Sequence, residues 1–197
     1  MKMFKKNVLA LMTFCLVSIF FSQVVNASAH INYSSSIGSL PVKTWKQLRD
    51  ADLEKQDLDY SCGSAATATI LRSFYGSEVY EKDILDEVTR IGNDGTASFS
   101  DLQQAVTKFG FKAVGISANF EKLKTIKIPA VVYLRYRDKD HFSVIRGINK
   151  QGVVWLGDPS WGNRKLSEQQ FKGKKVVLPI LVMALDGNAT FLSVPGS

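Results

Sequence analysis

Apolar residues follow a different rhythm in each region of the chain. From Val8 to Phe21 they run almost without interruption, behind a start that carries Lys2, Lys5 and Lys6. From Cys62 to Phe74 small and apolar side chains dominate. Ala65, Ala66, Ala68, Ile70, Leu71 and Phe74 are spaced to bury most sides of a helix, and Gly76 is placed to end it. Residues 78–91 set Val79, Ile84, Leu85 and Val88 among charges, the pattern of an amphipathic helix. Ser98 and Asp101, three residues apart, mark the start of another. Leu102, Ala105, Val106 and Phe109 form its buried face, and Gly110 stops it. Beyond Gly110 the runs shorten to strand length, at 111–116, 128–136, 141–148, 153–156 and 176–185. Pro179 lies inside the last run and predicts an edge strand or a break, because proline cannot donate to a ladder. Helices first and mostly antiparallel strands second predict an α+β fold, a helical half facing a sheet half.

The first apolar run changes the domain picture. It is too short to span a bilayer comfortably, and Ala27-Ser28-Ala29 after it has the small-x-small form of a signal-peptidase site. Residues 1–29 are therefore read as an export signal, with an uncleaved N-terminal anchor as the alternative, 30–40 as a flexible lead-in rich in Ser and Gly, and 41–197 as one domain. No cysteine follows the run closely, so no lipid anchor is expected there. The leader holds three of the 25 Lys and Arg residues and none of the 18 acidic ones, so the mature chain is only mildly basic. Its positive charges are scattered, which gives no reason to expect a nucleic-acid partner.

Cysteine count brings in chemistry. Cys15 leaves with the leader, so the mature chain holds Cys62 alone and can form no internal disulfide. A lone thiol in an oxidising compartment is a hazard. Either it is a small buried hydrophobe, or it is kept for reactivity. Its place at a helix start favours the thiolate through the helix dipole. Gly63, next to it, either lets a substrate backbone approach closely or merely serves the turn. Of the two histidines, His30 falls at the new N-terminus and His141 opens a strand, so His141 is the candidate base. Asp158 ends the next strand. A hairpin turn at Asn149–Gly152 would set it beside His141, where it could accept the Nδ1 proton and orient the ring. The bland alternative is that Asp158-Pro159 only begins a turn, and Asn163 is a rival for the orienting role. Gln56, six residues before the thiol, could join the Cys62 backbone N–H in an oxyanion hole. Trp155, Trp161 and Tyr133 are candidates for a substrate groove. One cysteine and one internal histidine cannot make an ordinary zinc shell, and no glycine loop of phosphate-cradling spacing occurs, so neither metal nor cofactor is expected.

Three ordered blocks carry a family resemblance. "QDLDYSCGSAATATIL" has a Gln-x5-Cys-Gly-x-Ala pattern, "DHFSVIRGI" supplies a His block and "GDPSWGNRKLSEQQF" an Asp-Pro block. Together they resemble the bacteriocin-processing, double-glycine peptidases of the papain-like clan, over roughly residues 42–185. The resemblance implies a papain-like fold, with Cys62 as nucleophile, His141 as base, Asp158 as orienting residue and Gln56 in the oxyanion hole. Familiar members are cytosolic domains of export ATPases that cut leaders ending in Gly-Gly. This chain carries an export signal and is read without an ATP-binding domain. It looks more like the stand-alone periplasmic members found with functional-amyloid or fimbrial export. The implied partners are a protein or peptide substrate in the cell envelope and an outer-membrane export system. The expectation is a periplasmic cysteine endopeptidase that processes a secreted or surface protein, such as a fibre subunit. The alternatives are a papain-like binding or chaperone module for such a subunit, and a structural domain with an inert cysteine.

Overall fold

The structure, a computed structural model, describes residues 28–33, 36–92, 97–136 and 139–185. The stretch expected to be an export leader therefore lies outside the described residues except for Ser28 and Ala29. The chain divides into two compact units, residues 1–45 and 46–197. In the first, β1 (Ser28–Tyr33) and β2 (Ser36–Pro41) pair antiparallel, with Tyr33 opposite Ser36. This hairpin replaces the flexible lead-in expected from the sequence. Alternation of Ile31 and Tyr33 with polar residues is a strand signal that the Ser and Gly content of the stretch obscures. A short helix, α1 (Trp45–Arg49), follows in the chain.

In the second unit, helices α2 (Cys62–Ser73), α3 (Glu81–Gly92) and α4 (Phe99–Thr107) come first. Strands β3 (Phe111–Ile116), β4 (Ala130–Tyr136), β5 (Lys139–Ile148), β6 (Val154–Asp158), β7 (Gly162–Leu166) and β8 (Lys175–Leu185) follow. Two short helices, α5 (Phe120–Thr125) and α6 (Glu168–Lys172), sit between strands. The strands make one antiparallel sheet in the order β3-β8-β4-β5-β6-β7. The α+β arrangement predicted from the residue pattern is the one observed.

Each sheet face has its own core. On one, Val131, Phe142 and Val144 meet Ala66, Ile70 and Leu71 of α2, Ile84 and Val88 of α3, and Leu102 and Val106 of α4. Ile70 and Leu71 are fully buried, a contribution of about 1.5–3 kcal/mol each. On the other, Val132, Leu134, Ile145 and Leu156 pack against Phe120 and Leu123 of α5 and Phe171 of α6. Helix α4 starts with the expected capping box: Ser98 Oγ accepts from Asp101 N and Asp101 accepts from Ser98 N. Gly76 and Gly110, expected to end helices, have φ of 69° and 78°, which side chains rarely adopt. Strand β8 is interior, between β3 and β4, so the edge-strand alternative for Pro179 is wrong. The break is present. Val131 pairs with Leu181 while Tyr133 pairs with Val177, so the register slips across the proline, as it must where a ladder donor is missing.

Candidate active site

The element that carries Cys62, the candidate nucleophile, is held by packing. Cys62 is the first residue of α2, and ten of the twelve residues of this helix are buried, Cys62 included. The N-cap residue, Ser61, makes no side-chain bond to the helix. Its hydroxyl turns back to Leu58, accepting from the amide at 3.1 Å and donating to the carbonyl at 2.8 Å. In the first turn, the Gly63 amide acts on the sulfur. The His141 ring and the backbone N–H groups of Phe142 and Gly63 all act on the sulfur. Burial alone would push the thiol up. The His141 bond, the two amides and the imidazolium charge outweigh it and hold Cys62 below its ordinary value.

Strand register brings in His141, the candidate base. Val144 pairs with Gly157, so Asp158 comes opposite Ser143, and His141 lies two residues further on the same face of β5. The hairpin turn expected at Asn149–Gly152 closes this pair, with Gly152 N donating to Asn149 O at 3.0 Å and Gly152 at φ 80°. His141 Nε2 is 3.0 Å from Asp158 Oδ1. The Nδ1 pairing expected from the sequence is therefore reversed. The carboxylate is a diagonal neighbour of His141, a span of roughly 7–8 Å between backbones, and the ring's distal nitrogen reaches it. Nδ1 is left for the sulfur. Burial would lower the pKa of His141, but hydrogen bonds to Asp158 and Cys62 and their charges raise it to about 9. Asp158, pushed up by burial, is brought below its ordinary value mainly by His141. The three shifts point the same way, each toward the charged form of its group.

The turn reading of Asp158 holds as well. Its Oδ1 accepts from the amides of Ser160 at 2.9 Å and Trp161 at 3.0 Å, and its Oδ2 from Ser143 Oγ at 3.1 Å. Ser143 was missed by sequence reasoning, although strand alternation puts it on His141's face. Asn163 does not orient the ring. It accepts from Arg146 at 2.8 Å and donates to Ala51 O at 2.8 Å. Gly63 does not face a substrate. A Cβ there would meet Ala97 Cβ and Phe142 Cδ2 at 3.2 Å, so its missing side chain lets α2 close on α4 and β5.

Gln56 lines a cavity of about 610 Å³ together with His141, Asp158, Ser160 and Trp161. Its Oε1 accepts from Ser160 Oγ at 2.5 Å and its Nε2 donates to Leu58 O at 2.9 Å. An amide nitrogen carries two hydrogens, so one remains to be offered. Trp161 is 54% exposed on the cavity rim, with Arg164 5.2 Å from its ring centre. Tyr133 instead packs on Phe142 at 4.6 Å between ring centres, and Lys165 lies over Trp155. A separate polar cavity, lined by Glu54, Thr69 and Arg72 among others, shares no residue with this one.

An antiparallel sheet with α2, α3 and α4 on one face, a thiol at a buried helix start and an imidazole–carboxylate pair on adjoining strands make a papain-like arrangement. Residues 50–178 match the peptidase C39 family, and the chain belongs to it. It is 35% identical over 135 residues to a protein of Pseudomonas fluorescens named "Probable functional amyloid protease FapD", covering 66% of this chain and 59% of that one. The Pseudomonas aeruginosa protein of the same name is 31% identical over 166 residues, covering 78% of this chain and 71% of that one. The chain thus spans less than two thirds of the first relative's length. Among solved structures, the fold resembles the peptidase domain of Streptococcus ComA, described as a bifunctional ABC transporter. The TM-score is 0.59 at 19% identity, over 68% of this chain and 98% of that one. It also resembles a double-glycine-motif protease from an AMS/PCAT transporter, solved with its leader peptide. There the TM-score is 0.57 at 22% identity, over 66% and 89%.

Proposed function

We propose that this cysteine peptidase is exported by its N-terminal 29 residues and works in the periplasm. There it cuts a secreted or surface protein, a fibre or amyloid subunit or a component of its export path. The Cys62–His141–Asp158 line carries the chemical part of this reading. The leader pattern supports the compartment, and the names of the two Pseudomonas relatives support the substrate class.

In this reading the Cys62 thiolate attacks the scissile carbonyl carbon. The oxyanion that forms accepts from the Cys62 backbone N–H and from the remaining Gln56 Nε2 hydrogen, a type of contact worth about 10²–10³ in rate. His141 gives its Nδ1 proton to the leaving amine, and the C–N bond breaks to leave a thioester on Cys62. The imidazole then takes a proton from water, whose oxygen displaces the sulfur and releases the acid. Asp158 keeps the ring turned to the sulfur throughout.

The reading is tested by mass spectrometry of exported proteins in cells carrying the parent protein or its Cys62→Ala variant. One or a few exported proteins should lose a proteolytic terminus in the variant. Identical termini in both, with a fibre subunit still bound by the variant, would make the protein a binding module instead.

A further inference from the structure

Residues 50–57 run as a strap from the sheet end of the molecule to its helices. On the sheet side, Arg146 donates to Ala51 O at 3.3 Å and Asp52 O at 3.2 Å. Lys55 Nζ donates to Ser160 O at 2.7 Å. On the helix side, Thr69 Oγ1 accepts from Glu54 N at 3.0 Å, and Arg72 pairs with the Glu54 carboxylate. The strap's last fastening is Glu81. This carboxylate, the first residue of α3, is only 4% exposed. Both of its oxygens accept from the backbone N–H of Asp57, at 3.0 and 3.1 Å. Its own N–H donates to Glu54 Oε1 at 3.2 Å.

These bonds fix the two peptide groups that flank Gln56. The N–H of Gln56 donates to Pro159 O at 3.3 Å, on the sheet side. The next N–H, that of Asp57, is held by Glu81 from the helix side. Nothing in the attack on a peptide bond uses a carboxylate at this place, and a charge buried at a helix start is tolerated because the dipole and the amide favour it. We propose that Glu81 is a positioning residue for the reaction: it holds the Gln56–Asp57 peptide so that the Gln56 amide stays at the oxyanion. The inference rests on the assignment of Gln56 as oxyanion donor.

The test compares Glu81→Gln, which keeps an oxygen at the same reach, with Glu81→Asp, which keeps the charge but is one methylene shorter, and with Glu81→Ala. Each is made in the parent and in a Gln56→Ala background. The probe is a quenched fluorescent peptide spanning the cleavage site mapped in exported proteins. Gln56→Ala should lower kcat by about 10²–10³-fold. Glu81→Ala and Glu81→Asp should lower kcat by roughly 10–100-fold with KM little changed, and Glu81→Gln should stay near the parent. In the Gln56→Ala background the Glu81 changes should cost almost nothing further. Alkylation of Cys62 by iodoacetamide should be unchanged in all, because the thiolate pair is not touched. Should Glu81→Ala fail to fold, the Gln and Asp variants decide. Parent rates for Glu81→Asp and Glu81→Ala alongside an impaired Gln56→Ala would overturn the role of Glu81 alone. So would the same loss in both backgrounds, a changed alkylation rate, or a Gln variant worse than the Asp one. A Gln56→Ala variant at the parent rate would remove the donor assignment and this inference with it.

Discussion

The start of α2 and the end of the β5–β6 pair meet at one sulfur, but they are built in opposite ways. Helix α2 is almost all small or apolar, its N-cap serine is turned away, and it presents the thiol through packing and backbone amides. The strand end is polar, and one carboxylate there accepts from His141, Ser143, Ser160 and Trp161. Steric changes should therefore act on the nucleophile side, and changes of charge on the base side. The sulfur depends on both sides: burial pushes it toward the neutral thiol, and the imidazole across the gap, helped by the Phe142 and Gly63 amides, outweighs that.

The largest expected break is on the charge side. Asp158→Asn keeps the shape of the side chain but removes the negative charge that holds His141 protonated. By analogy with the same change in a serine triad, kcat should fall by roughly 10²–10⁴-fold. The alkaline limb of the pH–rate profile should move down from about 9. The stability profile carries the same sign. A histidine whose folded value is raised stabilises the fold fully below its unfolded value of about 6.5, and loses that contribution as pH rises through about 9. In Asp158→Asn that alkaline loss should shrink, as urea unfolding at several pH values would report.

A smaller, steric break is expected on the other side. Gly63→Ala adds a methyl 3.2 Å from Phe142 and Ala97 and 3.4 Å from Leu102. Overpacking costs about 1–3 kcal/mol, offset in part by up to about 1 kcal/mol of helix propensity. A lower Tm is expected, with slower Cys62 alkylation, because the Phe142 N–H that faces the sulfur must move. The pH of half-maximal alkylation should shift less than in Asp158→Asn. The reverse order would contradict the division into a packed side and a charged side.

How much of this was legible in the sequence follows the same division. Helix α2, with its run of alanines and its glycine stop, and the capping box of α4 are local patterns, readable because each residue acts on near neighbours. Cys62, His141 and Asp158 could be singled out because lone thiols and histidines are scarce here and strand order put the last two side by side. Which ring nitrogen faced the carboxylate depended on a cross-strand diagonal, which no spacing within one strand reports. Gly63 was misread because its neighbours, Phe142 and Leu102, are distant in the chain. Strand β7, Gly-Asn-Arg-Lys-Leu, lacks an apolar run because it is an edge strand with one partner. Helix α6 did carry a signal that went unread: Ser167 and Gln170 form a capping box. The fastening of Gln56 by Glu81 was beyond reach, since it joins a loop to a helix start 24 residues on.

The central claim is that Cys62 exists as a thiolate because His141, held by Asp158, stays protonated beside it. The most direct measurement is the rate of Cys62 alkylation by iodoacetamide against pH, in the parent and in His141→Ala. The parent should show a reactive plateau through neutral pH, with its midpoint below that of an ordinary thiol. In His141→Ala the plateau should be lost and the midpoint should rise, because only the two backbone amides then oppose burial. A single rise at the ordinary thiol midpoint, the same in both proteins, would contradict the central claim.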